Sequence, residues 1–297
     1  MKRPIYLVIA GGLLLGLTYK PIGSFKPIVP FIIGILLFFS FLNIKLQLKS
    51  LIRKELMITL LLASTISPIL AYYVFSFSLG PELKIGLVLV ASAPSGIIML
   101  ILSEYVEKKD SQLIVSNFFL THFAVIIYLP ILLKALIAST IEFSQFNLLL
   151  QAMLLVVVPF SLAATTQRVL KTASLEKLIK AKKIIVPALV FMVISISIAK
   201  ARSQFDWQLD LLMILPAVLA VYLAQGTLAW LAGRLLKKGV AVSNTLALVS
   251  SSRNIQFMLA IALLNFSAKT VIVLIVGIVA HHITNILWLT LLGKKEN

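Results

Sequence analysis

An all-helical integral membrane protein is the fold class this chain predicts, and three observations carry the prediction. Hydrophobic residues make up 60% of its 297 residues, with a mean hydropathy of +1.07. Apolar runs of helix-spanning length follow one another from end to end, which a soluble core of this size would not need. The runs are too long, and alternate too rarely, for barrel strands, so helices must satisfy the backbone within each span.

Ten spans are expected, at roughly 4–19, 27–43, 55–77, 83–105, 111–137, 146–167, 182–200, 209–233, 240–265 and 268–292. The first follows Met1-Lys2-Arg3 but is read as a retained helix, because Leu17-Thr18-Tyr19-Lys20-Pro21 lacks a small-x-small cleavage site. It also carries Gly11-Gly12 and Gly16, a small-residue pattern that favours close helix packing. The second and seventh are, like the first, short. The fourth and ninth are interrupted by polar residues. Between the sixth and seventh, Arg168 to Lys183 reads either as an amphipathic connector lying along the headgroups or as a solvated loop.

Charge sets the expected orientation. Lys2, Arg3, Lys45, Lys49, Arg53, Lys54, Lys108, Lys109, the Arg168–Lys183 cluster, Arg234, Lys237, Lys238, Lys294 and Lys295 collect on one side; Lys20, Lys26, Lys84, Lys134, Lys200, Arg202 and Lys269 collect on the other. Both termini are therefore expected in the cytoplasm of a cell (inner) membrane. The net charge of +17 follows from basic loops beside anionic lipid, so the lipid bilayer is a partner and nucleic acid is not. With no cysteine in the chain, there is no disulfide framework, thiolate metal site or thiol nucleophile.

A cut at the Glu142-to-Phe146 loop gives two halves of five spans, 1–141 and 142–297, and an odd number makes the second enter from the opposite side. This is the geometry of an inverted repeat. The fourth span of each half is broken, by Ser92-Ala93-Pro94-Ser95-Gly96 and by Ser250-Ser251-Ser252-Arg253-Asn254. Paired interruptions of this kind mark a midplane binding site in transporters, whereas a single one often serves packing alone. Pro94 removes a helix donor and Gly96 loosens the backbone. Arg253 is the only charged residue deep inside an apolar segment, while all ten acids fall in loops or at span ends. An unpaired intramembrane cation points to an anion; the competing role is a cap on carbonyls of the broken helix.

The segment Ser92-Ala93-Pro94-Ser95-Gly96, the loop ending in Asp110, the helix ending at Pro130 and the Arg253-Asn254 pair resemble the bile acid:sodium symporter family. There the fourth span reads Pro-Gly-Gly-Thr-Ala-Ser-Asn before a Gly-Asp loop, and the ninth reads Glu-x-Gly-x-Gln-Asn. The Arg-Asn variant resembles a bacterial branch with divergent sodium sites. The resemblance implies a core domain of spans 3–5 and 8–10, a panel domain of spans 1, 2, 6 and 7, crossing helices 4 and 9, and substrate between the domains. It also exposes departures. Met99 and Leu100 stand where the family has a sodium-binding Ser-Asn pair, Ile114 and Phe118 where it has hydroxyl ligands, and Val249 where its liganding Glu belongs. Sodium needs several hard oxygens, so its usual sites are expected to be missing.

The expected function is secondary transport of a small organic anion by alternating access, with sodium doubtful and a proton a possible partner. The alternatives are a sodium-coupled symporter with backbone ligands, or a non-transporting sensor or channel. A membrane enzyme would need carboxylate or metal clusters that the acid inventory lacks, so no catalytic residue, cofactor or metal is expected. The candidate substrate residues are Arg253, Asn254, Ser252, Ser251, Pro94, Ser95, Gly96, Asn117, Thr121 and Gln256. Asn117, Thr121, Ala124 and Tyr128 share one helix face, which serves either binding or interhelical bonding. His122 is the candidate for proton coupling, because its side chain titrates near neutral pH; the alternative is a neutral, hydrogen-bonded ring. His281, His282, Thr284 and Asn285 extend a polar lining, and adjacent histidines make a poor metal pair. Gln225 is a minor candidate.

Overall fold

The computed structural model describes residues 3–42, 48–96, 98–106, 108–138, 143–202 and 209–293. The expected cut between halves at residues 141 and 142 lies outside them, as do Lys2, Lys45, Glu107, Asp206 and Glu296. All regular structure is helical, with no strand among the described residues. Among the described residues, seven helices are long and apolar enough to cross a membrane: Lys20–Phe41, Glu55–Phe75, Ser111–Ile137, Gln145–Val169, Thr172–Ala201, Leu211–Leu235 and Ala268–Leu292. The three other expected spans are short or broken. They are α1 (Arg3–Thr18), α5 (Pro81–Ser92) with α6 (Ile98–Leu102), and α11 (Val240–Ser251) with α12 (Ile255–Asn265).

The third span is one helical run containing α3 (Glu55–Leu61) and α4 (Ser67–Leu70), with wide turns at Leu62–Ile66 and Ala71–Phe75. Pro68 supplies no N–H and its ring crowds the preceding turn, which favours such local widening. Asp110 starts α7 (Ser111–Ile137) by accepting the Leu113 N–H at 3.0 Å. Its carboxylate also takes Arg53 at 2.7 Å, so the loop aspartate is a structural anchor. Pro130 does not end α7, which continues to Ile137.

The Arg168–Lys183 segment is neither a loop nor a separate connector. After α8 (Gln145–Val169) the chain breaks only at Leu170-Lys171, and α9 (Thr172–Ala201) is a single helix of 30 residues. At 1.5 Å per residue it is roughly 45 Å long, well beyond a ~30 Å hydrocarbon core. The surplus is the basic first third. There Lys182 Nζ reaches the Phe39 carbonyl at 3.1 Å and Gln167 Nε2 the Leu42 carbonyl at 2.7 Å, capping the end of α2 (Val29–Phe41).

The glycines of α1 pack as their pattern predicts. A Cβ on Gly16 would lie 2.6 Å from the Ser195 carbonyl, and one on Gly12 3.1 Å from the Phe191 carbonyl, so α1 and α9 meet nearly backbone to backbone. The core lies around α13 (Ala268–Leu292), whose most apolar stretch is 72% enclosed. It packs against α5, α9, α10 (Leu209–Leu235), α11 and α12.

Candidate functional site at the meeting of two broken helices

The two interruptions meet. Between α5 and α6, and between α11 and α12, the chain leaves helical geometry, and the two links pair antiparallel at Ser95 and Arg253. The Gly96 N–H donates to the Ser252 carbonyl at 2.9 Å, and the Asn254 N–H to the Pro94 carbonyl at 2.7 Å. A Cβ on Gly96 would stand 3.1 Å from the Arg253 carbonyl, so a side chain there would have to push the facing link back by a few tenths of an ångström. The Ser95 N–H donates to Thr121 Oγ1 at 3.0 Å, and Ser95 Oγ donates to the Val249 carbonyl at 3.0 Å. Pro94, Ser95, Gly96, Thr121, Ser252, Arg253 and Asn254 therefore come together in one assembly.

Arg253 is 1% exposed and lies at the C-terminal end of α5. Its Nη1 donates to the Ala93 carbonyl at 3.3 Å and its Nε to Gln225 Oε1 at 3.1 Å. Gln225 Nε2 in turn donates to the Ala91 carbonyl at 2.7 Å, and Tyr128 OH to the Ser92 carbonyl at 2.6 Å. Three consecutive carbonyls that a broken helix would leave unsatisfied are thus capped by three side chains from three other elements. A cation there also opposes the negative end of the helix dipole. The carbonyl-capping role is thus realised. No described carboxylate pairs with Arg253. Its buried Nη2 has no hydrogen-bond partner among the described residues, so the charge and both Nη2 N–H groups remain uncommitted.

The end of α11 is built differently. The Leu248 carbonyl accepts the Ser252 N–H at 3.0 Å and Ser251 Oγ at 3.3 Å, and the Val249 carbonyl accepts Ser95 Oγ. Ser252 Oγ bonds His281 Nε2 at 2.6 Å. No cation caps this end among the described residues. The site is electrostatically asymmetric.

His122 occupies a closed relay. Its Nδ1 lies 2.8 Å from the Phe118 carbonyl and its Nε2 2.9 Å from Asn254 Nδ2, while Asn254 Oδ1 accepts the Phe257 N–H at 3.2 Å. A carbonyl can only accept, so Nδ1 carries the proton, Nε2 accepts from the amide, and a neutral ring satisfies every partner. Asn117 accepts a short hydrogen bond from Thr59 Oγ1. Its Nδ2, together with Ser250 Oγ and both polar atoms of Asn285, is buried without a partner among the described residues. Gln256 is half-buried and makes no hydrogen bond among them, so it does not join the assembly.

Gln225 is the residue that sequence reasoning undervalued. It is fully buried and holds both Arg253 and the end of α5. An amide inside an apolar span, followed by Gly226, was its only signal. Tyr222 was missed: its OH donates to the Gly277 carbonyl at 3.2 Å and its ring lies 5.9 Å from that of His281. No group of His, Cys, Asp and Glu among the described residues could hold a metal ion.

The sequence profile of the Sodium Bile acid symporter family matches residues 28–207, more than half of the chain. The matched stretch contains the first broken helix and stops before the helices that carry Gln225 and Arg253. No curated protein sequence matches the chain.

Proposed function

The chain belongs to the sodium bile acid symporter family, a family of membrane transporters, and from that premise we propose that it carries a small organic anion across the membrane as a secondary transporter, by alternating access and without the family's usual sodium sites. The observation that carries this reading is Arg253. It is a buried guanidinium with no carboxylate partner, and an Nη2 without a hydrogen bond, among the described residues, set where two broken helices meet. In this reading Arg253 is both the permanent cation of the crossing and the counter-ion of the substrate, with Ser95, Asn117, Thr121, Ser251, Ser252 and Asn254 around it and Gln256 towards its edge. The correspondence of α5–α6 with α11–α12 supports an inverted repeat of halves 1–141 and 142–297, with core spans 3–5 and 8–10, panel spans 1, 2, 6 and 7, and both termini cytoplasmic.

The loss of sodium ligands has a physical basis in the packing. Met99, Ile114 and Val249 are buried in one apolar cluster, and the Val249 carbonyl is already occupied by Ser95. A guanidinium fixed at the end of α5 would do permanently what a bound cation does reversibly. The Ser250 hydroxyl, buried at the end of α11 with no partner and no capping cation among the described residues, favours a second reading in which backbone carbonyls and Ser250 rebuild a sodium site. Proton coupling, where it occurs, is assigned to His122. Protonation turns Nε2 from acceptor to donor and obliges Asn254 to release either the ring or the α12 cap.

The test is ligand-induced thermal stabilisation of the purified protein against a panel of organic anions, since a ligand stabilises according to its occupancy. Arg253→Gln is expected to abolish saturable stabilisation, and Arg253→Lys to retain part of it, because Lys keeps the charge and loses the fork. Unchanged affinity in a folded Arg253→Gln protein would leave Arg253 a purely structural cap.

A further inference from the structure

We propose a site for a small inorganic anion of the halide class in the seam where α10, α11 and α13 meet, held by Ser250, Asn285 and Trp288 and separate from the organic anion. Eight side-chain atoms are buried without a hydrogen-bond partner among the described residues, and four of them belong to these three: Ser250 Oγ, Asn285 Nδ2 and Oδ1, and Trp288 Nε1. All three residues are more than nine-tenths buried. A buried polar group without a partner is costly, so four such atoms in one seam point to a ligand that serves them.

Gly226 of α10 is where they meet. A Cβ there would lie 2.5 Å from Trp288 Nε1. Further along the α10–α11 hairpin, a Cβ on Gly233 would lie 2.7 Å from Ser243 Oγ, and about two turns along each antiparallel helix set Ser250 opposite Gly226. Asn285 stands one turn from Trp288 on α13, and one turn beyond it His281 bonds Ser252. Trp288 also packs with Leu248 and Val249, the residues that precede Ser250.

The donors select the ligand. Indole and amide nitrogens offer hydrogens and no lone pair, so they turn away a cation and hold an acceptor, and the serine hydroxyl donates as well. Asn285 Oδ1 is the one atom of the four that an anion leaves unserved. Arg253 adds its charge from nearby, because its Nε bonds Gln225, the residue next to Gly226. The acid nearest in sequence on these three helices is Asp210, in the first turn of α10 and about four turns from Gly226. Where the indole already presses on α10 there is room for a monatomic ion and none for an organic solute.

The experiment uses the full-length protein in nanodiscs of zwitterionic lipid, with chloride and bromide as probes, gluconate as the inert anion, and cation and ionic strength held constant. Replacing gluconate by chloride is expected to raise the melting temperature saturably, and bromide to quench a saturable part of the emission of the three tryptophans. Trp288→Phe keeps a ring and loses the N–H, so it should raise the half-saturating chloride concentration at least about tenfold and remove the saturable quenching. Ser250→Ala carries the same chloride test where Trp288→Phe does not fold. Potassium in place of sodium should leave the chloride response unchanged, and an organic anion that stabilises the protein should add to it rather than displace it, which separates this site from the crossing. Equal melting temperatures in chloride and gluconate, an unaltered chloride response in these variants, a response that follows sodium instead of chloride, or competition between chloride and the organic anion would each overturn the proposal.

Discussion

Gln225 and Gln256 are the same residue type in two apolar spans, and only one of them is built into the crossing. Gln225 spends its amide nitrogen on Ala91 and its oxygen on Arg253, whereas Gln256 is half-buried without a bond among the described residues. Gln225→Leu leaves a buried carbonyl and a buried guanidinium nitrogen unpaired, and each such orphan costs about 1–3 kcal/mol. Gln256→Leu should stay within about 0.5 kcal/mol of the unmodified protein. Denaturant or thermal unfolding in matched detergent checks the pair, and equal losses would refute the assignment. His122 yields a prediction of a different kind. A neutral ring satisfies the relay to Asn254, so protonation places a new positive charge beside the anion site at the expense of the α12 cap. Uptake into vesicles should therefore rise as external pH falls, and His122→Gln should flatten that rise while exchange continues. A flat profile in the unmodified protein would make His122 a structural hydrogen-bond partner only.

At the scale of elements, one device recurs: basic side chains cap the carbonyl ends of helices that stop inside or near the membrane. Arg253 does so for α5, Lys182 for α2, Arg202 for α1, and Lys109 bonds the Ser103 carbonyl beyond α6 at 2.7 Å. A cation at such an end both donates to an open carbonyl and opposes the helix dipole. Close packing is the second device. At Gly16 of α1 the α9 backbone leaves no room for a side chain, and Gly16→Val is expected to cost about 1–3 kcal/mol by overpacking. Gly80→Ala, where an added Cβ meets nothing within 4 Å, is the control in the same unfolding measurement.

Helix bounds were largely legible in the sequence because apolar runs end at charged or small residues; 111–137 and 268–292 agree with α7 and α13 to the residue. The 30-residue α9 was not legible, because its basic first third is amphipathic and a hydropathy reading stops where lysines begin. The crossing residues were visible as polar islands in apolar surroundings. The partners of Arg253 were not, because Tyr128 and Gln225 are distant in sequence and their roles exist only once α5, α7 and α10 converge on one helix end.

At the scale of the whole molecule, we propose that a fixed guanidinium takes the place of a coupling cation. Two broken helices meet at a single pair of main-chain bonds, one helix end holds a permanent charge, and the apolar side chains Val249, Met99 and Ile114 stand where sodium ligands are expected from the family resemblance. On the proposed reading, a transporter built this way would bind its anion without waiting for an ion. The most direct test is saturable binding or initial uptake of the best-stabilising anion, measured with sodium replaced by potassium or choline at constant ionic strength. The account predicts values within about twofold across the three cations, because withdrawing an obligatory co-ligand removes a coupling free energy that is typically 5–150-fold in affinity. A steep, saturable dependence on sodium would contradict it and place a cation at the end of α11, beside Ser250.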